Sequence, residues 1–394
     1  MPTTVASALS KGTAREAAAS LAKDLSQKLG GAKPAFAIAF ASTAQPLDQL
    51  MPALREALGA PVWLGISTAG EFTEGGDVKG AVAALAVAGD YAVRAGMGKN
   101  LKADPVGAVT TAAAALPASL PGYAHRTVLM LVDPLSGRGE EAVLVAAGIL
   151  GDSARLAGGA AGDDLAMKST HVALDGTVAS DAVVLAAIYS HKPLGVGVQH
   201  GHLPVSRPLK VTKASGSTVS TIEGRPAWDV WVEATKDAAT KAGIDANKLP
   251  AADVGAFLLR YEAGLATGST FKIRAPLSKA ADGSLSFACG VPEGSVIQIT
   301  ESEPGRQVSS AREAARRARA QMGGGACAGA IVFDCICRNL ILGNRFADAV
   351  SAMGSELGGA PFAGFETYGE IALDAGELSG FHNTTTVVLT FPRD

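Results

Sequence analysis

The chain has 394 residues, 48% of them hydrophobic and 18% charged, with 34 basic side chains against 37 acidic ones and a formal net charge of −3. Such a length exceeds the usual single core, so two domains are expected. The near-balanced charge excludes a generally basic, nucleic-acid-binding surface. Arg312, Arg316, Arg317 and Arg319 are the only basic cluster, and their helical spacing reads as one solvated face.

The first residues, MPTTVASALSKGTAREAAASLAKDL, lack the apolar core of a signal peptide. Ala14, Ala18, Leu21 and Leu25 recur at helical steps, which predicts an N-terminal helix within residues 1–34. No uninterrupted apolar run is long enough to span a bilayer, so no membrane is expected as a partner. Cys289, Cys327, Cys335 and Cys337 form neither a dense disulfide framework nor a C-x-x-C pair, which points to a reduced, cytoplasmic protein.

From residue 35 the same plan is written three times. AFAIAFAS (35–42) predicts a strand, LDQLMPALREALG (47–59) a helix stopped at Gly59, and VWLGI a second strand that runs into STAGE. AVAALAVA (81–88) closes this unit. TVLMLVD (127–133), GEEAVLVAAGIL (139–150), ARLAG (154–158) and AVVLAAIY (182–189) repeat it. AGAIVFD (328–334), a helix near 344–357, PFAGF and TTTVVLTF (384–391) repeat it again.

The second strand of each unit ends in a glycine-plus-acid turn: GISTAGEF (65–72), the looser AGGAAGDD (157–164) and GFETYGEI (364–371). Phe36 to Gly70 and Val128 to Gly162 both span 34 residues, and Ile331 to Gly369 spans 38, which implies duplication. Strand–helix–strand order predicts parallel pairing with right-handed crossovers. Ser42, Asp133, Cys335 and the three turns should then line strand-end rims, where open α/β sheets bind ligands.

Between the second and third units the pattern changes. Residues 193–228 alternate, with turns at Ser215–Gly216 and Glu223–Gly224. STFKIRAPL (269–277), SLSFACG (284–290) and SVIQIT (295–300) continue as antiparallel strands, with Asp282–Gly283 as a hairpin turn. Trp228–Lys241 and Arg306–Gln321 read as helices, and a domain boundary is expected near 225–250. The fold class is therefore α/β with α+β elements: repeated β-α-β units with mixed sheets, in two associated domains.

Gly70, Gly162 and Gly369 can take positive φ or let a ligand approach the backbone. Glu71, Asp163, Asp164 and Glu370 can then meet an ammonium group or a cation, or accept N–H groups of their own turns. Glu370 has Tyr368, His382 and Asn383 close by in sequence, and Arg338 in DCICRN (334–339) can hold a carboxylate or phosphate. His171, His191, His200 and His202 show no metal-ligand spacing. His200 and His202 alternate on one strand face and are read as surface residues. GVGVQHG is followed by no βαβ helix, and no phosphate loop or G-x-S-x-G occurs, so no cofactor and no metal are expected.

WLGISTAGEF, LAGGAAGDDL, PLGVGVQHG with IEGRPA, IRAPL with GVPEGSVIQI, FDCICRNLILG, PFAGFETYGEIA and FHNTT together resemble the FIST family, named for F-box and intracellular signal-transduction proteins. The similarity runs from about residue 35 to 390. It implies a FIST N-terminal domain over 35–228, holding two repeats and a strand extension, and a FIST_C domain over 229–394, holding antiparallel strands and the third repeat. It also implies a sensory protein for a small ligand, with amino acids or similar metabolites as the proposed class. No F-box or output domain is recognised, so the signal is expected to pass to a separate partner protein. By motif match the ligand-binding candidates are Thr68, Gly70, Glu71, Asp163, Asp164, Arg274, Arg338, Tyr368, Gly369, Glu370, His382 and Asn383, with no catalytic residue assigned. An enzyme using Glu370, His382 and Cys337, and an interaction scaffold, are the alternatives.

Overall fold

The computed structural model describes residues 2–151, 155–267, 270–323, 325–373 and 380–393; Ala154 and Ser269, each the first residue of a strand read from the sequence, lie outside them. The chain opens with a strand the sequence reading passes over, β1 (Thr4–Ser10), ahead of helix α1 (Ala14–Lys28). Thr13 and Glu16 close a capping box at the start of α1, which fixes where the helix begins. Then come β2 (Phe36–Ala41), α2 (Leu47–Leu58) and β3 (Trp63–Ser67), with β2 parallel to β3. Leu47, Leu50, Met51 and Leu54 form the buried face of α2, and Gly59 ends it at φ 67°. The hairpin β4 (Glu71–Thr73) and β5 (Gly76–Asp77) precedes β6 (Val82–Ala88), which lies antiparallel between β1 and β2.

The second unit repeats the order: β7 (Ala92–Lys99), α3 (Pro105–Ala113), β8 (His125–Val132), α4 (Gly139–Leu150), β9 (Arg155–Ala160), the hairpin β10 (Val172–Leu174) and β11 (Thr177–Ala179), and β12 (Ala182–Ser190). The third unit begins at β13 (Gly195–His200) and is then interrupted. The interruption carries β14 (His202–Pro204), β15 (Leu209–Ser215), β16 (Thr218–Ile222), β17 (Arg225–Pro226), α5 (Ala227–Lys241), α6 (Val254–Arg260), β18 (Tyr261–Thr267), β19 (Thr270–Arg274), β20 (Pro276–Lys279), β21 (Leu285–Phe287) and β22 (Val296–Ser302). It forms an antiparallel sheet with a core of its own, in which Trp231 and Phe257 pack on Ile297 and Ile299. The unit resumes with α7 (Pro304–Gln321), β23 (Cys327–Cys335), α8 (Ile336–Leu342), α9 (Phe346–Glu356), β24 (Phe362–Thr367), the pair β25 (Glu370–Leu373) and β26 (Phe381–His382), and β27 (Thr385–Pro392).

Parallel pairs β2–β3, β8–β9 and β23–β24 sit at the heart of three mixed sheets, as the strand–helix–strand order predicts. The hairpin after each turn does not stay at home. β4–β5 joins the third unit's sheet through β24, β10–β11 joins the first through β3, and β25–β26 joins the second through β9. Each unit thus hands an arm to another in a closed cycle. Inner faces of all three sheets share one core, with Phe36 and Phe40, Leu129 and Leu131, and Phe333 and Leu389 in contact range of one another's sheets. Outer faces are covered by α1 and α2, by α3 and α4, and by α7 and α9. Central strands are therefore buried on both sides, which explains their unbroken apolar runs.

GVGVQHG serves this packing. A Cβ on Gly195 would lie 1.8 Å from the Ala318 carbonyl oxygen, and one on Gly197 would lie 2.0 Å from that of Ala314, so β13 needs glycine for α7 to lie against it. The helix near 344–357 is α9, and a short helix the sequence does not signal, α8, precedes it directly after Cys335. His200 and His202 depart from the surface expectation. The chain turns at Gly201 between β13 and β14, and His202 is fully buried beside Glu262, with Nε2 3.3 Å from Oε2. His200 stacks at 4.9 Å on Phe271, and burial pulls its pKa down to about 4.

Candidate functional site

The cyclic arm exchange brings the three glycine-plus-acid turns together. Ala69 N–H donates to the Glu366 carbonyl (3.0 Å) and Glu366 N–H to that of Gly70 (2.7 Å). Gly162 N–H donates to Ser67 (2.9 Å) and Asp164 N–H to Thr68 (3.1 Å), while Ala160 N–H reaches Gly369 (2.7 Å) and Tyr368 N–H reaches Ala160 (3.2 Å). The three turns form one hydrogen-bonded ring.

Glycine is required there by contact. A Cβ on Gly162 would lie 2.5 Å from Ala69 N and 2.8 Å from the Thr68 carbonyl carbon; one on Gly369 would strike the Phe381 ring at 2.3 Å, and one on Gly70 the Glu366 carboxylate at 2.6 Å. Backbone cannot yield as a side chain can. Gly162→Ala should therefore cost about 1–3 kcal/mol in equilibrium urea unfolding; an unchanged midpoint would show that the ring tolerates spreading.

The turn carboxylates are engaged within the fold. Glu71, 1% exposed, accepts from Thr68 Oγ1 (2.8 Å) and Ala81 N–H (2.6 Å). Its burial pushes the pKa up to about 7, against the lowering effect of those two bonds. Glu370, fully buried, accepts from Thr367 Oγ1 and from Thr385 N–H (3.1 Å), and burial raises its pKa well above the usual range. Thr and Glu of T-x-G-E thus act together to hold the N–H at the entrance of the closing strand. In the second unit Ala160 replaces the Thr, and Asp133 takes over that duty by accepting Asp181 N–H at 2.5 Å.

Asp163 is released to a different task. It accepts from Met167, Lys168 and Ser169 N–H and from Tyr368 OH (2.7 Å), thereby ordering the loop after the turn. Burial pulls its pKa upward, but these bonds outweigh it and leave the carboxyl below the usual range. Asp164 accepts from Ser42 Oγ (3.1 Å) and from Thr43 N–H (2.9 Å) and Oγ1, tying this loop to the first unit's rim.

Arg338 is fully buried. Its Nε donates to Asp334 Oδ1 (2.5 Å), and its other nitrogens reach Ser310 Oγ (2.8 Å), the Gln307 carbonyl (2.9 Å) and Gln307 Oε1. His382 is held through Nε2 by the Ala372 carbonyl (3.0 Å), and burial lowers its pKa to about 3. Asn383 accepts Ala275 N–H and donates to the His382 carbonyl (3.0 Å). The Cys335 thiol, also buried, is pushed well above its ordinary range.

Arg274 and Tyr368 have a different setting. They line a cleft of about 780 Å³ between the second unit's rim and the inserted strands, with Glu140, Glu141, Lys272 and Phe381. Arg274 Nη2 donates to Glu140 Oε1 at 2.5 Å, and Nε and Nη1 hold the Gly290 and Phe381 carbonyls. Glu140 and Glu141 open α4, where the helix N-terminus favours acidic groups. In the sequence both are simply first-turn residues of a helix, because nothing local shows that β19 returns to face them. Cys289 also lines the cleft, and burial pushes its pKa up to about 12.

Among known families, residues 35–225 match the FIST N domain and residues 227–373 match the FIST C domain. Among solved structures, the crystal structure of cyanuric acid hydrolase from A. caulinodans is similar over 100% of both chains, at 10% identity and a TM-score of 0.32. No curated protein matches the sequence.

Proposed function

This chain belongs to the FIST family, and on that premise we propose that it is a sensory protein that binds a small polar metabolite, an amino acid or a near relative, and signals through a separate protein partner. FIST domains are associated with sensory signal transduction. The observation that carries the reading is the cleft in which Arg274 faces Glu140 across the junction of the repeat body and the inserted strands. The mixed charge suits a zwitterion: its carboxylate meets Lys272 and its ammonium meets Glu140 and Glu141. Arg274, 2% exposed and bonded to Glu140 and to the Ile273, Gly290 and Phe381 carbonyls, holds Glu140 in place. Leu144, Leu265 and Phe381 supply apolar wall for a side chain. A ligand spanning this junction changes how tightly the inserted strands hold the repeat body, which is a means of passing a signal.

No helix among the described residues is long and apolar enough to cross a membrane, and the four cysteines are free thiols. The free thiols support a reducing, cytoplasmic location. The hydrogen bonds that hold Glu370 and His382 in the fold favour the binding reading over an enzyme that uses these two residues. Cys337, the third residue of that alternative, is half-buried in α8.

A thermal-unfolding screen of the proteinogenic amino acids tests the proposal. The correct ligand at about a hundred times its dissociation constant should add about 2.7 kcal/mol. Glu140→Gln and the more exposed Glu141→Gln should each weaken that response. No response to any amino acid, or an undiminished response in both variants, would overturn it.

A further inference from the structure

Tyr368 takes part in two places at once. Its ring lines the Arg274 cleft with Phe381, while its hydroxyl reaches the loop that follows the second unit's turn. There the hydroxyl donates to Asp163 Oδ1 (2.7 Å) and accepts the Leu165 N–H (2.8 Å). One side chain of the third unit thus joins the cleft to a loop of the second.

That loop is strained. Asp164, Leu165 and Met167 sit at φ 53°, 65° and 53°, a left-handed region that costs energy for any residue with a Cβ. Residues 164–169 are all exposed, so no buried side chain fixes the backbone there. Asp164 ties the start of the loop to Thr68, Ser42 and Thr43 of the first unit. Beyond it, the Asp163 carboxylate takes the Met167, Lys168 and Ser169 N–H groups, and the Tyr368 hydroxyl takes that of Leu165. Leu165 and Met167 turn their apolar side chains outward, 48% and 56% exposed. Strain of this kind persists only where neighbouring bonds enforce it, and it gathers at switch regions.

We propose that Tyr368 is a positioning residue that couples occupancy of the cleft to the state of this loop, an inference that rests on reading the cleft as a ligand site. Clasped, the hydroxyl serves the loop; released, it turns into the cleft and donates to the ligand's carboxylate beside Lys272. Only the released state makes that contact, so a bound ligand favours release. Asp163 tolerates the exchange because it keeps three backbone donors without the phenol. Leu165, its N–H no longer held, leaves the left-handed region and relieves strain. The outward Leu165 and Met167 move with it, and that is a surface change a partner protein can read.

Hydrogen-exchange mass spectrometry of the full chain tests it, with and without an equimolar mixture of the proteinogenic amino acids. The mixture is raised until the thermal shift of each protein saturates, so that occupancy is matched. In the wild type it should speed amide exchange across residues 164–169 about tenfold, the worth of one neutral hydrogen bond. Tyr368→Phe, which keeps the ring and loses the hydroxyl, should exchange about tenfold faster without the mixture and gain nothing from it. A saturated thermal shift with unchanged wild-type exchange would overturn the coupling and leave the cleft reading standing. So would exchange in Tyr368→Phe that matches the wild type, or that still responds to the mixture as the wild type does. No thermal shift in any protein would instead overturn the cleft reading and the coupling with it.

Discussion

Arg338→Ala is expected to lower the stability of the protein by about 3–5 kcal/mol, the range for breaking a buried ion pair from one side. Asp334 is fully buried with Arg338 as its cationic partner, and Thr386 Oγ1 is its other contact (2.8 Å). Removing the guanidinium also strands Gln307 Oε1 and leaves a cavity between α7 and β23. The loss is electrostatic in origin, so exchanging both partners for apolar groups of similar volume should recover much of it. Equilibrium urea unfolding of Arg338→Ala and of Arg338→Met with Asp334→Leu decides the matter. Wild-type stability in the single variant would mean that Asp334 is protonated or solvated in the folded state. Burial does raise the Asp334 pKa, so acid should partly rescue Arg338→Ala.

The second large effect is a loss of stability on the alkaline side. Burial pushes Glu262 and Glu366 up to about 8 and Glu71 up to about 7. Unfolded, each would titrate near 4.5. The folded state therefore holds protons that the unfolded state has lost, and the associated stability is present below about 4.5 and lost as pH rises through 7 to 8. His200 and His382 run the opposite way, because burial lowers them to about 4 and about 3 from 6.5. Their contribution is present above 6.5 and lost as pH falls through those values. Stability should thus pass through a maximum on the mildly acidic side and fall from about pH 6.5 to about 8.

The neighbours support the assignment of that limb. Glu262 faces His202, Thr384 and the Glu370 carboxyl, and Glu366 faces Asn339, Asp334, Asp77 and Glu71; no cation among these offsets the charge. Glu262→Gln and Glu366→Gln should each flatten the alkaline fall by up to about 1.4 kcal/mol per pH unit. Melting temperatures across that range measure it. A fall as steep in both variants as in wild type would assign the titration elsewhere.

Much of the site was legible as pattern and illegible as role. T-x-G-E marks the turns correctly, and Tyr368 beside the last copy does belong to a cleft. Yet Glu370, with the richest set of sequence neighbours, is the most enclosed carboxylate of the three turns. Its Thr and the N–H of Thr385 satisfy it, and that N–H lies fifteen residues away across an arm whose path no local signal gives. Glu140 shows no role in the sequence for the complementary reason: its partner Arg274 arrives on β19, 134 residues away.

The sequence by itself determined that one β-α-β unit occurs three times, that its strands are buried and parallel, and that each second strand ends in a tight glycine turn. Hydrophobic period, helix stops and equal spacing are local properties, and burial on both faces of a strand leaves a direct trace in composition. Only the tertiary structure decided that each unit gives its hairpin to a neighbour, that the third unit starts before the inserted strands, and that the turns close into a ring. Those facts depend on pairings between residues up to some 300 positions apart, such as Ala69 with Glu366. A carboxylate's task is set by the donors around it, and here the donors arrive from other repeats.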